Sequence, residues 1–402
     1  STANNEFART IQLHLDSKER REARPAERAV PSMRRFPMSD AMPILSIHQR
    51  LETSGARTAT PFMLGDELWL GVPQLAVDLP GTPAHMNGGD SDVDTLLYKW
   101  TGGRFVLSER LPSHGGEDIE SFCIGDTQFL AVANLREGAG PYEPNVESVI
   151  YRRTGARWEP FQSIGTFAAK QWRHFKIGEH NFLALAQGLT LPHLTPVNPR
   201  YSCIFEWNGE SFALFQTLDG MWGYDFTCFE IGEDHFLAYA DHTSESLIYR
   251  WDGEQFVRFQ MIAEKSGRTF HHFRRDAADY LAFASIDGVS KLYRWNGDSF
   301  SVHQELEGPG GREFAMLECG EDLYLVRINF IEGTPSAPKT DLMSQIYRWE
   351  AGKLALVESF PTSGGTDAHF FSADGEKFLV VSNSLTADVR FRTDTIVYRV
   401  NL

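Results

Sequence analysis

The sequence predicts an all-β protein: a seven-bladed β-propeller of four-stranded antiparallel blades. Three observations carry the prediction. One hairpin phrase recurs along the chain, a second alternates with it, and the two chain ends hold complementary halves of one further unit.

The first phrase reads apolar, aromatic, polar or basic, Trp, turn, aromatic. It appears as Leu97-Tyr98-Lys99-Trp100 with Phe105, Ile150-Tyr151-Arg152-Arg153 with Trp158, and Ile204-Phe205-Glu206-Trp207 with Phe212. It continues as Ile248-Tyr249-Arg250-Trp251 with Phe256, Leu292-Tyr293-Arg294-Trp295 with Phe300, and Ile346-Tyr347-Arg348-Trp349 with Leu354. Alternating β-branched and aromatic residues suit a pleated strand. Asn208-Gly209, Asp252-Gly253 and Asn296-Gly297 read as two-residue hairpin turns. This pair of strands is C and D.

The second phrase reads aromatic, x, Ile, Gly, then a short apolar run. Phe122-Cys123-Ile124-Gly125 precedes Phe129-Leu130-Ala131-Val132-Ala133, and Phe175 to Gly178 and Phe229 to Gly232 open similar runs. Weaker copies begin at Phe62, Phe273, Leu317 and Phe371. This pair is A and B, and its small residues suit close packing between sheets. The repeat length of roughly 44 to 54 residues is that of one blade.

The half-copy Val397-Tyr398-Arg399 has no D strand after it, and residues 44–51 resemble a D strand with no C strand before it. Pairing 44–51 with 395–400 closes the ring and removes both free edges. Residues 1–43 stand outside the repeat as an N-terminal extension, partly helical (Glu6 to Glu22) or mobile, and 44–402 form the propeller.

Hydrophobic content of 42% and charged content of 23% are those of a soluble globular chain. The net charge of −16 repels phosphate backbones and argues against nucleic-acid binding. No apolar run is long enough to span a membrane, and the first residues lack an export-signal pattern, which favours the cytoplasm. Cys123, Cys203, Cys228 and Cys319 lie in or beside apolar runs without a CxxC pair and read as buried free thiols. A monomer is expected.

The unit Tyr-Arg-Trp-Asn/Asp-Gly…Phe…Phe-Gln…Ile-Gly…Phe-Leu-Ala resembles the epilepsy-associated repeat, EAR or EPTP, found in leucine-rich glioma-inactivated proteins. Gln162, Gln216 and Gln260 fall at its Gln position, and the resemblance covers residues 44–402. It implies a propeller that recognises proteins and can hold calcium in its central channel.

With A innermost, the B–C and D–A connections share one face. The long ones, residues 74–94, 135–146, 188–201, 329–343 and 384–393, make that face the expected binding face for a small molecule or a protein. Thr58, Asp118, Gln171, Asp225, Thr269, Glu313 and Asp367 occupy one repeat position at the start of the A strands. Asp118, Asp225, Glu313 and Asp367 could converge on calcium, a hard cation that prefers oxygen. An alternative is an enzyme with its site at the same mouth: a hydrolase, lyase, cyclase or isomerase, using His271, His369, Glu120, Asp241, His242, Arg268 and Arg312 for acid–base chemistry. Glu117 and Lys170 fall in the same region, as do the B-strand ends Asn134, Gln187, Asn329 and Asn383. His271 and His272 are adjacent on a strand and point oppositely, which argues against a shared metal. No Walker loop, dinucleotide fingerprint, HExxH or GxSxG is present, so no nucleotide cofactor is expected.

Overall fold

The computed structural model describes residues 42–189, 199–262 and 264–402. Seven four-stranded antiparallel sheets follow one another around an axis, and the described residues contain no helix. The A strands are Thr60–Leu64, Gly116–Ile124, Ala169–Ile177, Gly223–Ile231, Gly267–Arg275, Gly311–Cys319 and Gly365–Ala373, for blades 1 to 7. The proposed helix at Glu6 to Glu22 lies outside the described residues, as do residues 190–198 of the blade 3 loop.

Ring closure occurs as the chain ends suggest. Leu45–Ser54 is the outer strand of blade 7, and it pairs antiparallel with Arg392–Val400 from Leu45↔Val400 to Ser54↔Arg392. The pairing runs three residues further than expected at one end.

The C–D turns divide into two kinds. In blades 3, 4 and 5 the expected two-residue turn is instead a four-residue turn, because Trp207 pairs with Phe212, Trp251 with Phe256 and Trp295 with Phe300. In blade 3 the Asn208 side-chain oxygen accepts the backbone N–H of Glu210 (3.0 Å) and Ser211 (2.9 Å). Asp252 and Asn296 do the same. The side chain of the first turn residue therefore caps the turn, while the Gly after it takes the left-handed φ (+102° at Gly209).

Seven hydrophobic clusters lie between neighbouring blades, one per interface. They explain the excess of aromatics. Phe122 and Phe129 of blade 2 stack 5.4 Å apart, and Phe212 of blade 3 meets Phe122 edge-on at 5.8 Å. The pattern returns at Phe229, Phe236 and Phe300 of blades 4 and 5.

A ring of polar staples ties the outer strands. Gln162 donates to the carbonyl of Phe212 and accepts its N–H, at 2.8 and 2.9 Å. Gln216 binds Phe256, Gln260 binds Phe300, Gln304 binds Leu354 and Gln49 binds Phe105 in the same way. The two blades with Glu there use Glu109–Arg153 and Glu358 with the Ile44 N–H. Six of the seven outer strands thus satisfy backbone groups on the edge of the next blade, and the seventh makes the Glu109–Arg153 ion pair.

The four cysteines form no disulfide, but burial is not general: Cys203 is buried, Cys228 and Cys319 are half-buried, and Cys123 is exposed and donates to Gln128. Its neighbours Phe122 and Ile124 pack into the interface cluster, and strand alternation turns Cys123 away from it.

Candidate functional site

The B–C and D–A connections lie together on one face and brace each other. Leu75 N–H donates to the Gly55 carbonyl, Leu135 to Gly115, Ile286 to Ser266 and Phe330 to Gly310, at 2.8 to 3.0 Å. The long loops are not independent insertions. Leu75, Met86, Ile286, Phe330, Ile331, Leu385 and Phe391 form a separate hydrophobic cluster, drawn from blades 1, 5, 6 and 7. Arg136 of the blade 2 loop ties into the blade 1 loop through Ser91, Asn87 and Gly88, and stacks over Tyr142 at 3.6 Å.

In blades 2 to 7 the A strand enters this face through a small residue followed by a bulge. Gly116 pairs with Asn134 and Asp118 with Ala133, so Glu117 is the extra residue. Equivalent register shifts bring out Lys170, Tyr224, Arg268, Arg312 and Thr366, and Arg57 takes the place in blade 1. The small residue is required by close packing. A Cβ on Gly223 would meet the Tyr239 hydroxyl at 2.4 Å, and one on Gly311 the Ser290 hydroxyl at 2.4 Å.

The bulged residues form an upper tier with an unusual charge balance. Arg57, Lys170 and Arg312 approach Glu117 at 3.5, 3.9 and 3.7 Å. The Arg268 guanidinium sits 3.9 Å over the Tyr224 ring, with Lys170 at 5.5 and Arg312 at 5.2 Å. Burial lowers the pKa values of Arg57 and Lys170, and brings that of Arg268 down to about 10. Burial opposes ionisation of Glu117 and Tyr224, but the surrounding cations outweigh it and hold both below their ordinary values.

The second tier contains the sequence-predicted ring. Its acids are brought together around the channel, and most are occupied by the next blade. Asp118 accepts the Trp172 N–H (2.9 Å), Asp225 that of Phe270 (3.1 Å) and Asp367 that of Ala59 (3.0 Å), while Gln171 accepts that of Phe226 (2.7 Å). Glu313 accepts only its own neighbour Phe314. The innermost strands expose unpaired N–H groups along the channel, and these side chains satisfy them.

Two residues further on, Glu120 accepts the His174 N–H at 2.9 Å. Arg173 donates to the Phe226 carbonyl at 3.1 Å and lies 3.6 Å from Glu120 and 4.0 Å from Asp225. His369 meets Asp367 at 3.2 Å. Burial, with Glu120 adding to it, raises Asp118 to about 8. Burial with Asp225 and Asp367 raises Glu313 to about 8. Burial also raises Glu120 and Asp225. Burial opposes charge on both members of the His369–Asp367 pair, but their mutual attraction wins, raising the imidazole and lowering the carboxyl.

The calcium expectation meets this geometry poorly. Among the described residues no three His, Cys, Asp or Glu side chains are grouped to hold a metal ion. The guanidinium of Arg173 already stands among the carboxylates as a fixed cation. The residues present do not fit a calcium cage.

The remaining candidates separate. His271 lies on the channel side, with its pKa brought down to about 4 by burial and then by His272, Arg173 and His369. His272 turns the other way, stacking on Phe229 at 4.6 Å and meeting Asp279 at 3.1 Å. Asp241 is fully buried and serves as a backbone clasp. It accepts the N–H groups of Met221, Trp222, Thr243 and Ser244. Asn134, Gln187 and Asn383 likewise accept N–H groups of His114, Phe167 and Ser363, and Asn329 donates to the Met343 carbonyl. His242 packs edge-on against Trp222 at 4.8 Å. Sequence reasoning missed Arg57, Arg173 and Tyr224. The signal for the first and last was present: a small residue, any residue, then an acid, Thr or Gln, as in Ala56-Arg57-Thr58 and Gly223-Tyr224-Asp225.

The EPTP domain profile matches residues 104–154, 211–252 and 255–296. Three stretches of the chain thus resemble EPTP repeats. Each matched segment begins at or just before a D strand and ends in or just after the C strand of the next blade, the same offset that closes the ring. The human thrombospondin-type laminin G domain and EAR repeat-containing protein is 34% identical over 153 residues, 37% of this chain and 22% of the relative. The mouse protein of that name is 30% identical over 174 residues, 40% and 24%. The chain therefore spans under a quarter of either relative. Its fold is similar to that of Saccharomyces cerevisiae Sqt1 (TM-score 0.54, 10% identity, 89% of this chain and 100% of that one). It is also similar to BBS1N in complex with ARL6DN (TM-score 0.55, 12% identity, 89% and 97%).

Proposed function

We propose that this propeller is a recognition module that engages its ligand or protein partner with the loop-rich face at the channel mouth. One observation carries the reading. The long loops are braced into their own hydrophobic cluster on the same face where buried basic and aromatic side chains converge. A rigid scaffold that holds shaped loops around a charged centre is suited to binding rather than to filling space. Among the described residues the opposite face offers only short A–B and C–D turns. The protein-recognition role of the family that its repeats resemble supports the reading.

The test compares two pairs of charge reversals at exposed positions. Glu137→Lys and Asp287→Lys alter the loop-rich face, and Asp126→Lys and Glu233→Lys alter the opposite one. Quantitative capture of binding partners by the purified chain is expected to fall only with the first pair. Loss with the second pair alone would transfer the function to the other face.

A further inference from the structure

We propose that the upper tier of the channel mouth is a binding site for a multiply charged oxyanion, a phosphate or sulfate group. The inference rests on the loop-face reading above and names the chemistry of what enters.

Four cations, Arg57, Lys170, Arg268 and Arg312, share one carboxylate, Glu117. That leaves a local excess of three positive charges (four minus one) in a chain whose net charge is −16. A solvated surface could carry such an excess cheaply, but Arg57, Lys170 and Arg268 are each more than nine-tenths buried. Buried charge without a partner is strongly unfavourable, so this arrangement calls for a counter-charge.

The hydrogen-bond inventory points the same way. The side chains of Arg57, Lys170 and Arg312 donate no hydrogen bond among the described residues, and Arg268 donates one, to the Gly267 carbonyl at 3.3 Å. The Nε atoms of both Arg57 and Arg268 are buried without an acceptor. None of the four comes within 4.0 Å of a second-tier carboxylate, although that tier is one residue away in sequence; Asp287 acts on Arg268 only at longer range. Glu117 stands too far, at 3.5 to 3.9 Å, to satisfy the donors around it.

The donors are also held in place. Lys170, Arg268 and Arg312 project from bulges in the A strands, Arg57 follows the Ala56–Gln74 bridge, and Tyr224 and Phe330 back the guanidinium groups at 3.9 to 5.6 Å. Planar guanidinium forks fixed against rings favour an acceptor with several oxygens over a halide. Glu117 then acts as a weak internal competitor that holds the cluster together when no anion is bound.

The experiment uses the full chain, with inorganic pyrophosphate as a free oxyanion and sucrose octasulfate as an ester-borne one, titrated calorimetrically at constant ionic strength with chloride as control. Saturable one-to-one binding of at least one probe is expected. Pyrophosphate binding assigns the site to a free anion, and binding of the octasulfate alone assigns it to a group on a larger ligand. Arg268→Gln or Arg312→Gln should weaken it at least tenfold. Glu117→Gln should strengthen it, a sign that a purely structural carboxylate would not give. Circular dichroism confirms that each variant is folded, and Lys170→Met provides a second neutralisation if one Arg variant fails to fold. The proposal is overturned if neither probe exceeds chloride, or if binding is indifferent to all three neutralisations. In that case partner capture that still depends on Glu137 and Asp287 would leave the loop-face reading standing.

Discussion

Asp118→Asn probes the charge balance of the channel. Five carboxylates, Asp118, Glu120, Asp225, Glu313 and Asp367, face two cations, Arg173 and His369. The surplus is met by protons, which places Asp118 at about 8 in the folded chain. An unfolded Asp titrates near ~3.9. A folded value above the unfolded one gives stability that is complete below the unfolded pKa and is lost as pH rises through the folded pKa. Between about pH 5 and 7 the folded state holds roughly one more proton at this site. Stability then falls by roughly 1 kcal/mol per pH unit, or about 2–3 kcal/mol across the interval. Asn keeps an oxygen to accept the Trp172 N–H and cannot titrate. Urea unfolding at pH 5, 6 and 7 should show the variant gaining about 2–3 kcal/mol on the wild type over that range. Infrared spectroscopy should show a protonated-carboxyl band in the wild type at pH 6 that weakens in the variant. Parallel stability curves with an unchanged band would refute the proton-for-cation account.

Arg173→Met leaves Glu120 and Asp225 without their fixed counter-charge and should cost about 3–5 kcal/mol at neutral pH. Part of the loss should return as pH falls and those acids protonate, and an unchanged thermal midpoint at pH 7 would contradict it. Gln216→Ala strands the N–H and carbonyl of Phe256 on an outer edge, for a loss of about 1–3 kcal/mol in urea unfolding. A change below about 0.5 kcal/mol would show the staple to be incidental. Removing divalent ions with a chelator should leave the thermal midpoint where it was, and added calcium should not raise it. Stoichiometric calcium that disappears in Asp225→Asn would restore the metal.

Much of the scaffold was legible because its causes are local. The Tyr-Arg-Trp phrase and the Ile-Gly turns are strand and turn chemistry, and they repeat because every blade meets the same neighbours. The unpaired C strand at Val397 and the lone D strand at Ile47 could only complete each other. The tier-two acids were found as a repeat position, but their task was not. Nothing in Asp118 or Asp225 reveals that an N–H from a strand some 45 to 54 residues away will fill its oxygen.

Sequence alone determined the blade count, the closing strand and the residues that face the channel, since period-two alternation and turn residues are properties of a few adjacent positions. Tertiary structure alone decided the charge of the mouth. One extra residue per A strand turns Glu117, Lys170, Tyr224, Arg268 and Arg312 inward, and only closing the ring brings side chains from five blades within a few ångströms. A bulge breaks the alternation by which a sequence is read, and electrostatic energy depends on distances across the axis that no spacing along the chain records.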